Sequence, residues 1–261
     1  MTHSDGGTPR VAGALPTMLI IGAMKCGTTA LHGYLGRHPA VAMSAPKELN
    51  FFLGPATAAA ASRPDPDAWA AGNWHRGLDW YAAQFDPGAA VRGESSPGYT
   101  SPAHPYAAER IAAHLPDVRL VYLVRDPVDR ALSQYRHHVR GGTEHRPVAT
   151  ALFAPDSQYL DRSRYLARLE PYLSRFDTGR IAVVALEELR ADPRRVLADL
   201  CVFLGADPVD YPWPELGTPP PADRHAAALD ADLRTRLVAE LRPDAERLRA
   251  FLGRDLPHWS V

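Results

Sequence analysis

Met18-Leu19-Ile20-Ile21-Gly22-Ala23-Met24-Lys25-Cys26-Gly27-Thr28-Thr29 is the stretch on which the fold turns. Residues 17–22 form a short apolar run closed by glycine, the pattern of a buried strand. Thr28 can then cap a helix running to about Arg37, where His38-Pro39 stops it. A strand, a glycine-framed loop and a helix in succession aim backbone N–H groups and a helix N-terminus at one point. That geometry holds phosphate.

The alternation continues downstream. Residues 40–43, 90–93, 118–124 and 181–186 read as further strands, and residues 78–85, 105–114, 128–140, 163–176 and 193–204 as helices between them. Strands alternating with helices predict an α/β fold in a single domain, with a central parallel sheet flanked by helices and a P-loop-like first corner. Residues 229–252 read as a helix with a break near Arg242-Pro243, because proline lacks a donor and crowds the preceding turn. Residues 54–72 and the proline-rich stretch 206–222 read as surface excursions.

With 261 residues, 46% hydrophobic and 23% charged, the chain can bury one core unaided. A net charge of −1 excludes a global basic field of the kind that draws proteins to nucleic acid or anionic membranes, so any anion site is local. Cys26 and Cys201 are far apart and lack metal-ligand spacing, which suggests a reducing, cytoplasmic setting without disulfides. Residues 1–16 lack a basic n-region and precede an apolar run too short to span a bilayer. They read as a flexible leader to a domain of residues 17–261, with no membrane insertion. Lys25 and Lys47 are the only lysines among 29 basic side chains. An ammonium is a compact point charge that fits where a planar guanidinium does not.

The first loop has the glycine spacing of a Walker A loop, but Thr28 stands where that motif needs lysine, and Lys25 lies inside the loop instead. A lysine placed there would face a 5′-phosphate and the group leaving from it, so the developing charge can be met without a metal. Its bland alternative is an ordinary strand–turn–helix corner. The second junction, Leu120 through Val124 followed by Arg125-Asp126-Pro127, ends in arginine where a Walker B strand would end in a magnesium-binding acid. Arg125 and Ser133 lie eight residues apart and can grip one phosphate only if the chain folds back at the junction. Otherwise Arg125 pairs with Asp126 or Asp129.

Lys25-Cys26-Gly27-Thr28-Thr29 resembles the 5′-phosphosulfate loop of sulfotransferases that use 3′-phosphoadenosine 5′-phosphosulfate (PAPS). Val124-Arg125-Asp126-Pro127 with Arg130 and Ser133 resembles their 3′-phosphate motif. The likeness is greatest to the branch with heparan sulfate sulfotransferases and their bacterial relatives. Lys47-Glu48-Leu49-Asn50-Phe51-Phe52, Gly77-Leu78-Asp79-Trp80-Tyr81, Gly93-Glu94-Ser95-Ser96-Pro97-Gly98-Tyr99 and Phe251-Leu252-Gly253-Arg254-Asp255-Leu256 look like further segments of it, in order. The resemblance implies the PAPS sulfotransferase fold, PAPS as donor with 3′-phosphoadenosine 5′-phosphate (PAP) as product, no required metal, and a carbohydrate or small-molecule acceptor. It also implies donor binding by Lys25, Cys26, Gly27, Thr28, Thr29, Arg125 and Ser133, with Tyr165 and Arg224 as further nucleotide-side positions.

Sulfuryl transfer to a hydroxyl needs a base within hydrogen-bond reach. On the residues alone Glu48 is either a surface carboxylate paired with Lys47 or a base whose pKa the neighbouring Phe51 and Phe52 raise. The resemblance assigns it the base, and Lys25 the second catalytic role. His75, His104 and His145 are alternative bases. Trp69, Trp74 and Trp80 either line an acceptor cleft or belong to the core. Asn50 stands where the heparan enzymes often carry histidine, Ser95 where they often carry lysine, and Ala222-Asp223-Arg224 keeps only the arginine of the family's closing Lys-Gly-Arg. A P-loop kinase conflicts with the missing lysine after Gly27 and with Arg125 at the strand end. A non-catalytic nucleotide-binding module would need no base at position 48.

Overall fold

The computed structural model describes residues 15–54, 72–155, 157–209 and 230–261. Strands β1 (Met18–Gly22), β2 (Val41–Met43), β3 (Val91–Ser95), β4 (Arg119–Val124) and β5 (Ile181–Ala185) form one sheet in the order β2-β3-β1-β4-β5. Every neighbouring pair is parallel. β1 is buried throughout and β4 at all but its first residue, as continuous apolar strands covered on both faces must be.

The first half supplies helices α1 (Thr28–Leu35), α2 (Gly77–Ala82), α3 (Ala107–His114) and α4 (Pro127–Arg140). They are followed by α5 (Val148–Leu152), α6 (Gln158–Asp161), α7 (Tyr165–Leu173), α8 (Leu186–Ala191), α9 (Pro193–Leu204) and α10 (Ala231–Leu252). The α/β reading therefore holds, with differences at the element ends. Gly27, not Thr28, occupies the cap position of α1, and Thr28 is its first helical residue. β3 runs two residues past the expected end, to Ser95, because Ser95 still pairs with Ile20 of β1.

The break expected at Pro243 does not occur, and α10 runs through it. An interior proline costs a helix about 3 kcal/mol. Here Leu237 and Leu241 before it and Ala245 and Leu248 after it are buried in the same core, so packing holds both halves in line. Asp244 adds a polar anchor: its carboxylate accepts the amides of Leu166 and Ala167, each at 3.0 Å, in the first turn of α7. Orphan amides at a helix start are satisfied this way, from outside the helix.

β1 and β4 are neighbours at the centre of the sheet, so the loops leaving their C-terminal ends open side by side. In an open parallel sheet the crevice beyond those ends is where ligands bind. Asp244→Ala should lower stability by about 1–2 kcal/mol, read as a shift of the urea midpoint at unchanged slope.

Candidate active site

The loop after β1 is shaped by two left-handed residues, Lys25 at φ 68° and Gly27 at φ 91°. A side chain on Gly27 would also meet Leu186 Cδ1 at 2.7 Å, so glycine is required twice over. The α1 start has no side-chain cap and no acidic residue in its first turn. Its leading N–H groups, those of Thr28 and Thr29 among them, are left for an anion.

At the second junction Arg125 pairs with Asp129, the alternative its sequence left open, and also reaches the Lys25 loop. Asp126 caps α4 by accepting the Asp129 amide at 2.9 Å. Arg125 turns along the first turn of α4, where one Nη lies 3.4 Å from Asp129 Oδ2 and the other 3.4 Å from the Lys25 carbonyl oxygen. Its Nε is enclosed without a partner, an orphaned donor suited to an anionic ligand. Ser133 is four residues beyond Asp129, on the same face of α4 one turn further.

Behind both loops lies a frame of buried polar groups. Arg130, with no solvent exposure, donates through Nε to the Met24 carbonyl at 3.1 Å and through Nη1 to the Tyr159 carbonyl at 3.1 Å. Ser163 Oγ and Gln134 Oε1 accept its other bonds, each at 3.4 Å. Tyr165 is buried, its hydroxyl 3.5 Å from Cys26 Sγ while accepting the Arg125 amide at 3.4 Å. Burial pushes the Cys26 thiol up to about 11, against the lowering effect of Tyr165, Arg130 and Arg125, so it stays protonated. Arg130, Tyr165 and Cys26 accordingly hold the two loops from beneath.

The turn after β2 carries Lys47 and Glu48. The Lys47 ammonium pairs with the Glu48 carboxylate, both partly exposed. Phe51 and Phe52 do not build an apolar pocket of their own around that pair. They are fully buried, Phe51 stacked on Tyr81 with ring centres 4.2 Å apart and both within 6.1 Å of Trp74. Trp74 and Trp80 are partly buried on this cluster, beneath the guanidinium groups of Arg110 and Arg76 at 5.0 and 4.1 Å. Glu48 and Asn50 are left-handed, at φ 64° and 48°. Asn50 and Ser95, the two departures from the heparan pattern, are both buried.

Two groups here carried no role in the sequence reading. Glu94, fully buried at the end of β3, accepts hydrogen bonds from the hydroxyls of Tyr81 at 2.8 Å, Tyr99 and Ser96 at 3.1 Å. Burial raises its carboxyl from the ordinary 4.5 to about 7, against the lowering effect of those donors. His32 on α1 sits within the field of Lys47 and Glu48, and burial, then Lys47, lowers its pKa. The available signal for Glu94 was its place in the segment 93–99 that resembles the family, since β3 itself, with Arg92, Gly93 and Ser95, is not an apolar run. His32 had none. Of the alternative bases, His75 and His145 are exposed. Arg224 and Trp69 lie outside the described residues.

Fold and site together define a parallel α/β protein with two adjoining anion-binding strand–helix corners and a carboxylate-bearing turn beside them. Residues 16–210 match the sulfotransferase family, and the chain belongs to it. It is 30% identical over 220 residues to the bifunctional heparan sulfate N-deacetylase/N-sulfotransferase 2 of Bos taurus, covering 74% of this chain and 22% of that one. The chain thus spans less than a quarter of that relative. The membrane-associated sulfotransferase kil1 of Dictyostelium discoideum is 32% identical over 131 residues, covering 48% of this chain and 24% of that one. A sulfotransferase structure from Alicyclobacillus acidocaldarius superposes with a TM-score of 0.75 at 30% identity, covering 95% of this chain and all 100% of that one.

The raised pKa of Glu94 fixes the sign of a pH effect. The folded state takes up its proton more readily than the unfolded chain, so this stability is fully present below about 4.5 and is lost as pH rises through about 7. Urea midpoints of the wild type should fall across that interval, and Glu94→Gln should flatten the fall.

Proposed function

We propose that this chain transfers a sulfuryl group from PAPS to a hydroxyl or amine of a carbohydrate or small-molecule acceptor. The observation that carries this reading is the meeting of the two corners: Arg125, at the end of β4, reaches the carbonyl of Lys25 in the loop after β1. We read the two corners together as one anion site for a nucleotide with phosphates at both ends. Arg125 and Ser133 take the 3′-phosphate. The N–H groups at Gly27, Thr28 and Thr29, with Lys25, take the 5′-phosphosulfate, and Cys26 packs behind the loop. Tyr165 keeps the two loops in register, and Arg224 joins the nucleotide side.

In the reaction the acceptor oxygen attacks sulfur while the bond from sulfur to the 5′-phosphate oxygen breaks, and PAP leaves. Lys25 meets the charge growing on that phosphate. Glu48 takes the acceptor's proton. Its pairing with Lys47 holds the carboxylate at the mouth of the turn, beside the His32 ring. Among the described residues no cluster of three His, Cys, Asp or Glu is placed to hold a metal, and the leaving-group charge is assigned to Lys25 and the backbone. The names of the heparan sulfate relatives support a carbohydrate acceptor, while Asn50 and Ser95 argue for one less anionic than heparan. No described helix is long and apolar enough to cross a membrane, and Cys26 and Cys201 are unpaired and buried, which suits a cytoplasmic enzyme.

Calorimetry in the presence of a chelator should show PAP binding and much weaker binding of 5′-AMP. Arg125→Ala should weaken PAP by about 1.5–3 kcal/mol, and equal affinities for the two nucleotides would remove the 3′-phosphate assignment. A screen of acceptors with radiolabelled PAPS then gives turnover. On an aliphatic-hydroxyl acceptor, Glu48→Gln should cut kcat by about 10²–10⁴ at unchanged PAP affinity. Wild-type turnover would move the base to another residue. Lys25→Ala should lower kcat as well as donor affinity, and an effect on donor KM alone would sink its transition-state role.

A further inference from the structure

Four backbone amides of the turn that carries Glu48 end on one short segment, residues 94–99. The Glu48 amide donates to the Ser95 carbonyl at 3.1 Å, and the Leu49 amide to the Glu94 carboxylate. The Asn50 amide donates to Ser96 Oγ at 2.9 Å and the Phe52 amide to the Tyr99 hydroxyl at 3.4 Å. Both of those hydroxyls donate in turn to Glu94. Tyr81 contributes a further donor from α2.

We propose that Glu94 is a positioning residue for sulfuryl transfer: its buried carboxylate gathers these donors and thereby locks the turn so that Glu48 faces the reacting centre. The inference rests on the reading of Glu48 as the base. Left-handed backbone at two non-glycine residues is costly and persists only where the surroundings enforce it. A carboxylate accepts only, whereas a protonated acid or an amide brings a hydrogen of its own to one of its two heavy atoms. With donors converging from Tyr81, Tyr99, Ser96 and Leu49, that hydrogen confronts another donor and one link is lost. Among the described residues no cation compensates the charge: the groups facing it are Tyr81 and Tyr99, whose pKa values burial drives well above the ordinary 10.0, so both remain donors. Ionised Glu94 therefore works against stability while holding the turn, the reverse of what a purely structural residue would do.

The test is Glu94→Gln in the full chain at pH 8, with Ser96→Ala as the milder cut between Glu94 and the Asn50 amide. Hydrogen exchange read by mass spectrometry should show protection lost by at least tenfold over residues 48–53 and kept within twofold over β1 and β4. On the aliphatic-hydroxyl acceptor turned over fastest in the labelled-PAPS screen, Glu94→Gln should lower kcat by tenfold or more, with PAP affinity unchanged. In a Glu48→Gln background the same change should cost less than twofold, since a residue acting through Glu48 has nothing left to position. Wild-type kcat for Glu94→Gln alongside an impaired Glu48→Gln would overturn the proposal and leave the base intact. Equal losses in both backgrounds, or protection lost throughout the sheet, would also overturn it. Wild-type kcat for Glu48→Gln would remove the base reading and this proposal with it. If Glu94→Gln does not fold, the same cycle with Ser96→Ala decides, with a loss of about threefold expected.

Discussion

A guanidinium enclosed without solvent and without a carboxylate is the interaction around which the donor side is built. Arg130 spends its hydrogen bonds on the carbonyls of Met24 and Tyr159, on Ser163 and on Gln134. Removing such a charge from water costs several kcal/mol, which hydrogen bonds to neutral acceptors offset only in part. Burial lowers its pKa, Tyr165 and Cys26 act against that, and the neighbouring Arg162 adds a further lowering. The surplus positive charge beneath the loop makes the protein side of the site complementary to an anion. The same bonds tie the loop after β1 to the turn before α7, so the charge that attracts a donor also fixes the backbone that would receive it.

The turn that carries Glu48 is built on a different principle. Its anchor is an anion, Glu94, surrounded by hydroxyl and amide donors rather than by cations. Asn73 completes the clamp, its side chain donating to the Leu49 carbonyl at 2.8 Å and its amide to the Asn50 carbonyl at 3.1 Å. These bonds run to the backbone of the turn, while the Leu49 side chain packs in the core.

Much of this was legible in the sequence. The apolar runs at β1 and β4 and the glycine-bounded loop gave the sheet centre and the first corner, because strand burial and phosphate geometry both leave local signatures. The contact of Arg125 with Lys25 did not, since contacts between neighbouring parallel strands join residues 100 apart in the chain. Pro243 misled for the opposite reason: the local rule was sound, and burial of Leu237, Leu241, Ala245 and Leu248 overrode it. Phe51 and Phe52 marked the turn correctly but point into the aromatic core, and periodicity does not say which face of an irregular turn is buried.

The two halves of the site therefore differ in how freely they can change. Lys25 and Arg125 follow adjacent central strands that are buried at all but Arg119, so any shift in these loops disturbs the packing of the core. The turn that carries Glu48 hangs from the end of β3, next to the edge strand β2, by hydrogen bonds to its backbone. Ser95 carries the same logic: its carbonyl holds Glu48, while its hydroxyl is buried without a partner. Ser95 is fully enclosed, so a larger or charged side chain there would have to displace the packing around the sheet. The corners after β1 and β4 are thus held by the packed core, and the turn beside them by hydrogen bonds to its backbone, so the two can shift independently of one another.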